Sequence, residues 1–169
     1  MIDTRNKVER FLQLWRFKKI PSLNLGKVID FGGNKGELRG HIKCECYTLV
    51  NYDHSILKYR KADNIVALAV IEHIEKEKVF EIFKMFNEKN LVTGGRVWIT
   101  TPTPLAKPIL EFLAFFNIVD KDNIREHKHY WTKKEIYELA KKTGFKIEKY
   151  KRFQFGFNQF AIFRKLPAP

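Results

Sequence analysis

Cysteine, glutamine and long apolar runs are scarce in this chain of 169 residues. Cys44 and Cys46 lie too close together for a disulfide framework, and Cys-x-Cys alone makes a poor metal site. We interpret them as small apolar residues on or near a strand, in a protein kept in a reducing cytoplasm. No apolar run approaches the roughly 20 residues of a membrane-spanning helix. The stretch from Met1 to Lys7 lacks the apolar core of a signal peptide. We therefore expect a cytoplasmic protein with no transmembrane segment.

Acidic residues are also few, since 32 Lys and Arg face 19 Asp and Glu and leave a net charge of +13. Such a charge attracts nucleic acid or an anionic membrane surface. It is equally typical of the Lys-rich surface of a protein from a heat-loving organism, and the three glutamines favour that reading. The chain is 44% hydrophobic and 30% charged, which predicts one globular domain over residues 1–169.

Hydrophobic periodicity places the helices. Asp3 or Thr4 caps a predicted N-terminal helix within residues 1–20, running to about Phe17. A second helix carries Val79, Ile82, Phe83 and Phe86 on one side, and Lys89-Asn90 and Gly94-Gly95 bracket its end and the next turn. A third begins at Thr132, which forms a capping box with Glu135, and ends at Gly144. Between them, residues 105–119 are unusually apolar. They predict a helix, followed by a loop to residue 130. This helix and loop are expected over the active-site mouth, at a homodimer contact or on a membrane surface.

Short runs of β-forming residues predict six strands. They span Lys27–Phe31, Cys46–Tyr52, Asn64–Val70, Arg96–Thr101, Phe145–Phe153 and Gln159–Lys165. Strands that alternate with helices predict an α/β fold, a three-layer sandwich with a mostly parallel sheet covered on both faces. Gly156 and Asn158 separate the last two strands, which are therefore expected to pair in antiparallel fashion.

The segment Val28–Gly36 combines a strand, a glycine-rich turn and the start of a helix, which together form a nucleotide cradle. An acid that ends the second strand of such a fold can hold two ribose hydroxyls. Asp53 follows Asp30 at about the spacing expected of that acid, although it also suits a solvated turn. A dinucleotide motif is weaker here, since Gly-x-Gly-x-x-Gly would require glycine at Phe31.

Five motifs in order resemble those of the class I S-adenosylmethionine-dependent methyltransferases. They are Asp-x-Gly-x-Asn-x-Gly from Asp30, the acid Asp53, the run from Ala62 to Ile74 with its Glu-His pair, Gly-Gly-Arg-Val-Trp-Ile-Thr-Thr-Pro from Gly94, and His-Tyr-Trp-Thr-x-x-Glu-Ile from His129 followed by Thr143-Gly-Phe. Asn34 stands where the family usually has glycine, and asparagine tolerates the left-handed conformation. Only nine residues separate Asp53 from Asp63, too few for the family's third strand. The resemblance implies a compact Rossmann-like member with strand order 2-1-4-5-7-6 and an adenine pocket open on one side.

The resemblance also implies S-adenosylmethionine as the cofactor. Gly32 and Gly36 would face its methionine part, while Asp30 orders the loop or meets the cofactor amino group. Asp53 would hold the ribose. The full set of implied cofactor-binding residues is Asp30, Gly32, Gly33, Asn34, Gly36, Asp53, Ala67, Leu68 and Ala69.

Methyl transfer needs an aligned nucleophile and often a base. The candidate catalytic residues are Glu72, His73, His127, His129 and Tyr130. Glu72 and His73 suit helix capping equally well, and the loop that carries the other three could simply pack. His127 and His129 suit a metal, but no third ligand is evident in the sequence, so we predict no metal site.

We therefore expect a methyltransferase that acts at oxygen or nitrogen of a small molecule. The alternatives are an RNA-directed methyltransferase, which the charge favours, and a non-catalytic module that keeps the fold as a binding or assembly surface. The absence of an Asn-Pro-Pro-Tyr or cysteine-containing signature argues against methylation of a nucleic-acid base.

Overall fold

The computed structural model describes residues 7–51, 57, 60–109 and 126–167. Three helices lie in this part of the chain: α1 (Lys7–Phe17), α2 (Lys76–Met85) and α3 (Lys133–Lys142). Six strands accompany them: β1 (Lys27–Phe31), β2 (Cys46–Val50), β3 (Ala62–Leu68), β4 (Leu91–Pro102), β5 (Phe145–Phe153) and β6 (Asn158–Lys165). Short 3₁₀ turns span Glu37–His41, Ile71–His73 and Gln154–Gly156.

The six strands form one sheet in the order β2-β1-β3-β4-β6-β5. β1 pairs in parallel with β2 and β3, and β3 pairs in parallel with β4. β6 runs antiparallel to both β4 and β5. If the observed strands are renumbered so that the missing third strand keeps its number, this order becomes 2-1-4-5-7-6, which is the predicted order. The α/β class, the parallel centre and the antiparallel last strand are confirmed.

Apolar side chains pack on both faces of the sheet, as a three-layer sandwich requires. On one face, Val79 and Phe83 of α2 and Leu139 of α3 pack in a cluster with Ile65 of β3. On the other face, Phe17 at the end of α1 belongs to a second cluster, whose members from the sheet include Val66 and Trp98. Because Ile65 and Val66 are adjacent, their opposite placement follows from strand alternation.

Several predicted strands needed corrected bounds: the second ends at Val50, and the third spans Ala62–Leu68, two residues earlier than predicted. The strand predicted for Arg96–Thr101 begins earlier, at Leu91, so Gly94-Gly95 lies inside β4 and not in a turn before it. Its register against β3 jumps from Ala62↔Leu91 to Asn64↔Arg96, so the glycines form a bulge. A π-helical turn, Phe86–Asn90, ends α2. The capping box of Thr132 and Glu135 and the left-handed Gly144 after α3 are confirmed.

Two predictions fall partly or wholly outside the described residues. A helical turn begins the predicted apolar helix at 106–109, and residues 110–125 lie beyond what the structure describes. Asp53 is also outside. Within the described part of the chain, β2 is an edge strand, and no further strand pairs with its free side.

Candidate active site

The candidate site lies where β1, β3 and β4 end at their carboxyl edge. In open parallel sheets this edge is where ligands bind. The segment Asp30–Gly36, which we call the glycine turn, begins with the last two residues of β1. The short turn Ile71–His73 follows β3, and Thr101 and Thr103 stand at the end of β4. The three strand ends are adjacent because the strands are neighbours in the sheet.

The glycine turn uses left-handed backbone at three positions. Gly32 has φ 74° and Gly36 has φ 71°, values that side chains with a Cβ rarely adopt. Asn34 has φ 52°, so it takes the left-handed conformation predicted for it. The backbone N–H of Gly32 donates to the carbonyl of Val50 at 2.7 Å, which ties the turn to β2.

The carboxylate of Asp30 fills the inside of this turn. It accepts a hydrogen bond from the Tyr47 hydroxyl and is 2% exposed. A Cβ added at Gly33 would lie 2.0 Å from Asp30 Oδ2, so glycine is required there for space. Burial, opposed by the bond from Tyr47, raises the pKa of Asp30 to about 6. Burial and the neighbouring carboxylate raise the pKa of Tyr47 above its usual range.

A second contact fixes the outer part of the turn. Asn51, just after β2, accepts a hydrogen bond from the Asn34 N–H at 3.0 Å and donates one to the Asn34 carbonyl at 2.7 Å. Both bonds use the backbone of Asn34, so its side chain is not needed for them. The glycine turn is therefore held from both sides by residues of the β2 segment, Tyr47 and Asn51.

The remaining predicted cofactor residues are placed unevenly. Ala67 is fully buried in the core, whereas Leu68 and Ala69 are partly exposed at the end of β3. Ala69 has φ 57°, a strained value for a residue with a Cβ, and its N–H donates to the Thr100 carbonyl at 2.9 Å. This sharp bend turns the chain out of β3 and into the turn that carries Glu72 and His73. The role of Asp53 stays a prediction.

Three of the predicted catalytic residues come together after β3, and we call Glu72, His73 and His127 the acid–imidazole cluster. One ligand atom from each lies within 4.8 Å of the others. The backbone N–H groups of Lys128 and His129 donate to the Glu72 carbonyl at 2.8 and 3.2 Å. These bonds bring the segment that carries His127 against the Glu72 turn, although 55 positions separate the two residues in sequence.

Trp131 anchors the same segment. It is fully buried, and its indole N–H donates to the Ile71 carbonyl at 3.3 Å. In the cluster itself, the rings of His73 and His127 meet edge to face with centroids 4.7 Å apart. His127 Nδ1 lies 3.1 Å from the Tyr130 hydroxyl, so Tyr130 contacts the cluster from outside.

In the cluster Glu72 is buried, His73 and His127 are half-buried, and only part of the polar atoms are hydrogen-bonded. Glu72 is 1% exposed, and burial raises its pKa to about 7. Glu72 Oε2 and Thr101 Oγ1 are buried without a hydrogen-bond partner among the described residues. The neighbouring Thr101 hydroxyl opposes the effect of burial and lowers the pKa of Glu72. Burial lowers the pKa of His127 to about 4 and also lowers the pKa of His73, so both imidazoles are neutral near pH 7.

His129 is not part of this cluster. Its Nε2 lies 3.0 Å from Glu135 Oε1, and its ring packs edge-on against Trp131. Glu135 also accepts from Lys76 at 2.6 Å and completes the α3 capping box. These contacts suit a structural role for His129 better than a catalytic one.

α1 contributes a positive charge that sequence reasoning did not assign to the site. Arg16, in its last turn, lowers the pKa values of Glu72, His73 and His127. Gln13 of the same helix donates to Glu37, just after the glycine turn, at 2.7 Å. α1 therefore lies over both parts of the site. The periodicity of the helix indicated which face packs, but nothing local indicated what the polar face meets.

Sequence reasoning also missed Tyr47 and Asn51, and it did not single out Thr101 within its strand end. A strand residue at the second position of β2 carries no motif, so only the tertiary contact identifies Tyr47. Thr101 sits in a run of β-forming residues that reads as ordinary strand.

The comparisons with known proteins agree with this geometry. A family model described as a methyltransferase domain matches residues 4–150, and the chain belongs to that family, the S-adenosylmethionine-dependent class I methyltransferases. A search of curated proteins finds no significant match. Among the described residues, no helix is both long and apolar enough to cross a membrane.

Solved structures show the same fold at low sequence identity. An S-adenosylmethionine-dependent methyltransferase from Archaeoglobus fulgidus is 14% identical with a TM-score of 0.66, and the match covers 94% of each chain. The small RNA methyltransferase HEN1 is 19% identical with a TM-score of 0.68, over 95% of this chain and 25% of HEN1. The pyocyanin biosynthetic protein PhzM is 16% identical with a TM-score of 0.67, over 96% of this chain. The chain spans 59% of the length of PhzM.

Proposed function

We propose that this chain binds S-adenosylmethionine and transfers its methyl group to an oxygen or nitrogen of a small molecule. The observation that carries the proposal is the pairing of two features at adjacent strand ends. A preformed glycine turn lies at the end of β1, and a group of titratable side chains around the buried Glu72 lies at the end of β3. The first suits the cofactor and the second suits the acceptor.

On the cofactor side, the bare backbone of Gly32 and Gly36 would approach the methionine part, and Asp53 would hold the ribose hydroxyls. The sequence predicts two alternative roles for Asp30, which are ordering the turn and binding the cofactor amino group. Its bond to Tyr47 and its 2% exposure favour the first. Leu68 and Ala69 would pass beneath the cofactor, while Ala67 supports them from the core.

On the acceptor side, the acid–imidazole cluster supplies the groups that methyl transfer needs. A hydroxyl or amine becomes a better nucleophile when a base removes its proton as the methyl group arrives. A base works best when its pKa is near the operating pH, and Glu72 meets that condition because burial raises its pKa to about 7. Tyr130, hydrogen-bonded to His127, would position that imidazole.

Calorimetry with S-adenosylhomocysteine tests the cofactor. We expect saturable binding that Asp53→Ala weakens by about tenfold or more, because a charge-assisted hydrogen bond contributes roughly 1.5 to 3 kcal/mol. Glu45→Ala is the matched control, since Glu45 is an exposed acid at the opposite end of β2. Absence of binding at millimolar ligand would contradict the proposal and leave the non-catalytic binding module.

An RNA acceptor is the second candidate. The net charge of +13 supports it, as does the similarity of the fold to HEN1. A groove of about 770 Å³ runs along α1, and its lining includes Phe11, Trp15 and Lys18. Phe155, 90% exposed, meets Trp15 edge to face. Exposed rings among cations suit the stacking of unpaired bases.

Anisotropy with single-stranded RNA at low and high salt tests this candidate. If RNA stacks on this surface, Phe155→Ser should weaken binding roughly tenfold, in line with about 1 to 3 kcal/mol per stacked base. Leu166→Ser, a change at another exposed apolar residue, should leave it unchanged. Binding that is insensitive to salt, or equal in both variants, would argue against an RNA acceptor.

Three further expectations belong to the same proposal. We place the protein in the cytoplasm of a heat-loving organism, and we expect a homodimer through residues 105–119. The structure describes residues 105–109 of that segment. Leu105 and Ile109, its first and last described residues, are 56% and 38% exposed. Analytical ultracentrifugation tests the dimer, and a monomer at all protein concentrations would contradict it. A high thermal midpoint would support the thermophilic origin.

A further inference from the structure

The acid–imidazole cluster has a composition and spacing that go beyond acid–base chemistry. Its one carboxylate and two imidazoles each offer a ligand atom, and the three atoms lie within 4.8 Å of one another. A cation bound about 2.0 to 2.2 Å from each ligand would hold the ligands roughly 3 to 3.5 Å apart. Small side-chain rotations therefore suffice to close the three around one ion.

The His127 imidazole also has an outer hydrogen-bond partner that leaves its other nitrogen available. His127 Nδ1 contacts the Tyr130 hydroxyl at 3.1 Å, which leaves Nε2. Histidine ligands of metals usually have this arrangement, because the outer bond fixes the tautomer and the ring orientation. The backbone of Glu126 lies near enough to His73 to raise the pKa of that imidazole, against the lowering by burial.

The third ligand carries an unsatisfied atom. Glu72 is 1% exposed, and its Oε2 has no hydrogen-bond partner among the described residues. Leaving a charged group buried without a partner costs several kcal/mol. Thr101 Oγ1, near the Glu72 carboxyl, is in the same condition. A bound cation would neutralise the carboxylate, and its water would give Thr101 a partner.

Two charged residues modify the site in opposite directions. The Arg16 guanidinium on α1 acts on all three ligands and opposes a second positive charge. Glu126 attracts a cation, and its charge already raises the pKa of His73. Because Arg16 lies near enough to influence the cluster, its removal offers a direct test of whether a cation binds there.

We propose that Glu72, His73 and His127 bind one divalent transition-metal ion such as Zn²⁺ or Co²⁺. Two imidazole nitrogens favour these ions over Mg²⁺ and Ca²⁺, which prefer all-oxygen ligands. Three protein ligands leave coordination positions open, as in catalytic metal sites. In the role that rests on the proposed function, an acceptor oxygen occupies an open position beside the methyl group. Ion binding itself does not depend on that role.

Titration of the chelator-treated full chain with Co²⁺ tests the site. Its visible spectrum reports ligand type and geometry, and calorimetry with Zn²⁺ gives the affinity. We expect one equivalent of Co²⁺ with nitrogen ligation. Glu72→Gln and His127→Ala should each weaken binding tenfold or more, while His41→Ala, which removes an exposed imidazole elsewhere, should not. Arg16→Gln should tighten binding several-fold.

Controls separate folding and cofactor binding from the ion site. Far-ultraviolet circular dichroism checks each variant, and if Glu72→Gln fails to fold, His127→Ala alone decides the result. Absence of saturable binding of both ions at millimolar concentration would overturn the proposal. So would equal affinity in the wild type and in His127→Ala. S-adenosylhomocysteine affinity is measured in parallel: cofactor binding without ion binding overturns only the metal site, and the reverse overturns only the methyltransferase.

Discussion

The glycine turn and the acid–imidazole cluster stand at neighbouring strand ends, yet they treat their polar groups differently. In the turn, the Asp30 carboxylate has Tyr47, and the backbone of Asn34 has Asn51. In the cluster, Glu72 Oε2 and Thr101 Oγ1 are buried without partners among the described residues. The polar groups of the turn find their partners within the fold, while the cluster leaves two buried oxygens without a partner that a ligand could supply. Changes in the turn should therefore lower stability, and removal of the cluster's charge should raise it.

The largest effect is expected at Gly33. A Cβ there would lie 2.0 Å from Asp30 Oδ2, and the buried carboxylate has little room to move. We expect Gly33→Ala to lower the free energy of unfolding by about 3 kcal/mol, at the upper end of the usual cost of overpacking. Gly40→Ala is the control, because nothing lies within 4 Å of its added Cβ. Urea unfolding measures both, and equal stabilities would show that the turn is not tightly packed.

Ionisation of Asp30 in the glycine turn should make the free energy of unfolding depend on pH. Its pKa is raised from 3.8 to about 6, so between these values the folded chain holds a proton that the unfolded chain has released. Stability from this group is therefore present below about pH 4 and is lost as the pH rises through 6. Relative to Asp30→Asn, the wild type should lose about 2 to 3 kcal/mol over that range, at 1.36 kcal/mol per pKa unit. Unfolding curves at pH 4 to 7 measure it, and parallel profiles would refute it.

Glu72→Gln should act in the opposite direction. Without metal, the change removes a buried carboxylate that lacks a full set of partners. We expect the free energy of unfolding to rise by about 1 to 2 kcal/mol at pH 8 in the presence of a chelator. A loss of stability instead would mean that the carboxylate is satisfied in solution and that the two regions do not differ as described.

The smallest effects are expected at the outer part of the turn. Asn51→Ala removes both bonds to the Asn34 backbone, at about 0.5 to 1.5 kcal/mol each, and part of this loss is recovered because water reaches the site. Asn34→Gly keeps those bonds and relieves the left-handed backbone, so stability should change by less than about 1 kcal/mol. Chemical denaturation compares them. If Asn34→Gly is the more damaging, its side chain does more than these bonds show.

Much of this fold could be read from local patterns. Lys27–Phe31 and Phe145–Phe153 were predicted to the residue, because apolar runs and flanking glycines record strand sterics directly. Thr132 and Glu135 identify the start of α3, since both capping bonds span only three residues. The bulge in β4 was missed because glycine pairs signal turns more often than interruptions within a strand.

The candidate site was predictable only in part. The sequence singled out the Glu72-His73 pair and His127. It did not predict that these residues lie together, and it offered no third metal ligand for His127 and His129. It gave His129 equal standing, although Glu135 and Trp131 engage that ring. Arg16, Tyr47 and Thr101 carry no local signal at all.

The sequence by itself determined the elements, the left-handed turn through Gly32 and Gly36, and the family. These depend on backbone sterics and periodicity over a few residues. Only the tertiary structure decided which side chains meet: Tyr47 with Asp30, and His127 with Glu72. The physical reason is that such meetings depend on strand order and on backbone bonds between distant segments, as from Lys128 to the Glu72 carbonyl. Burial then sets the charge of each group, and burial is a property of the assembled fold.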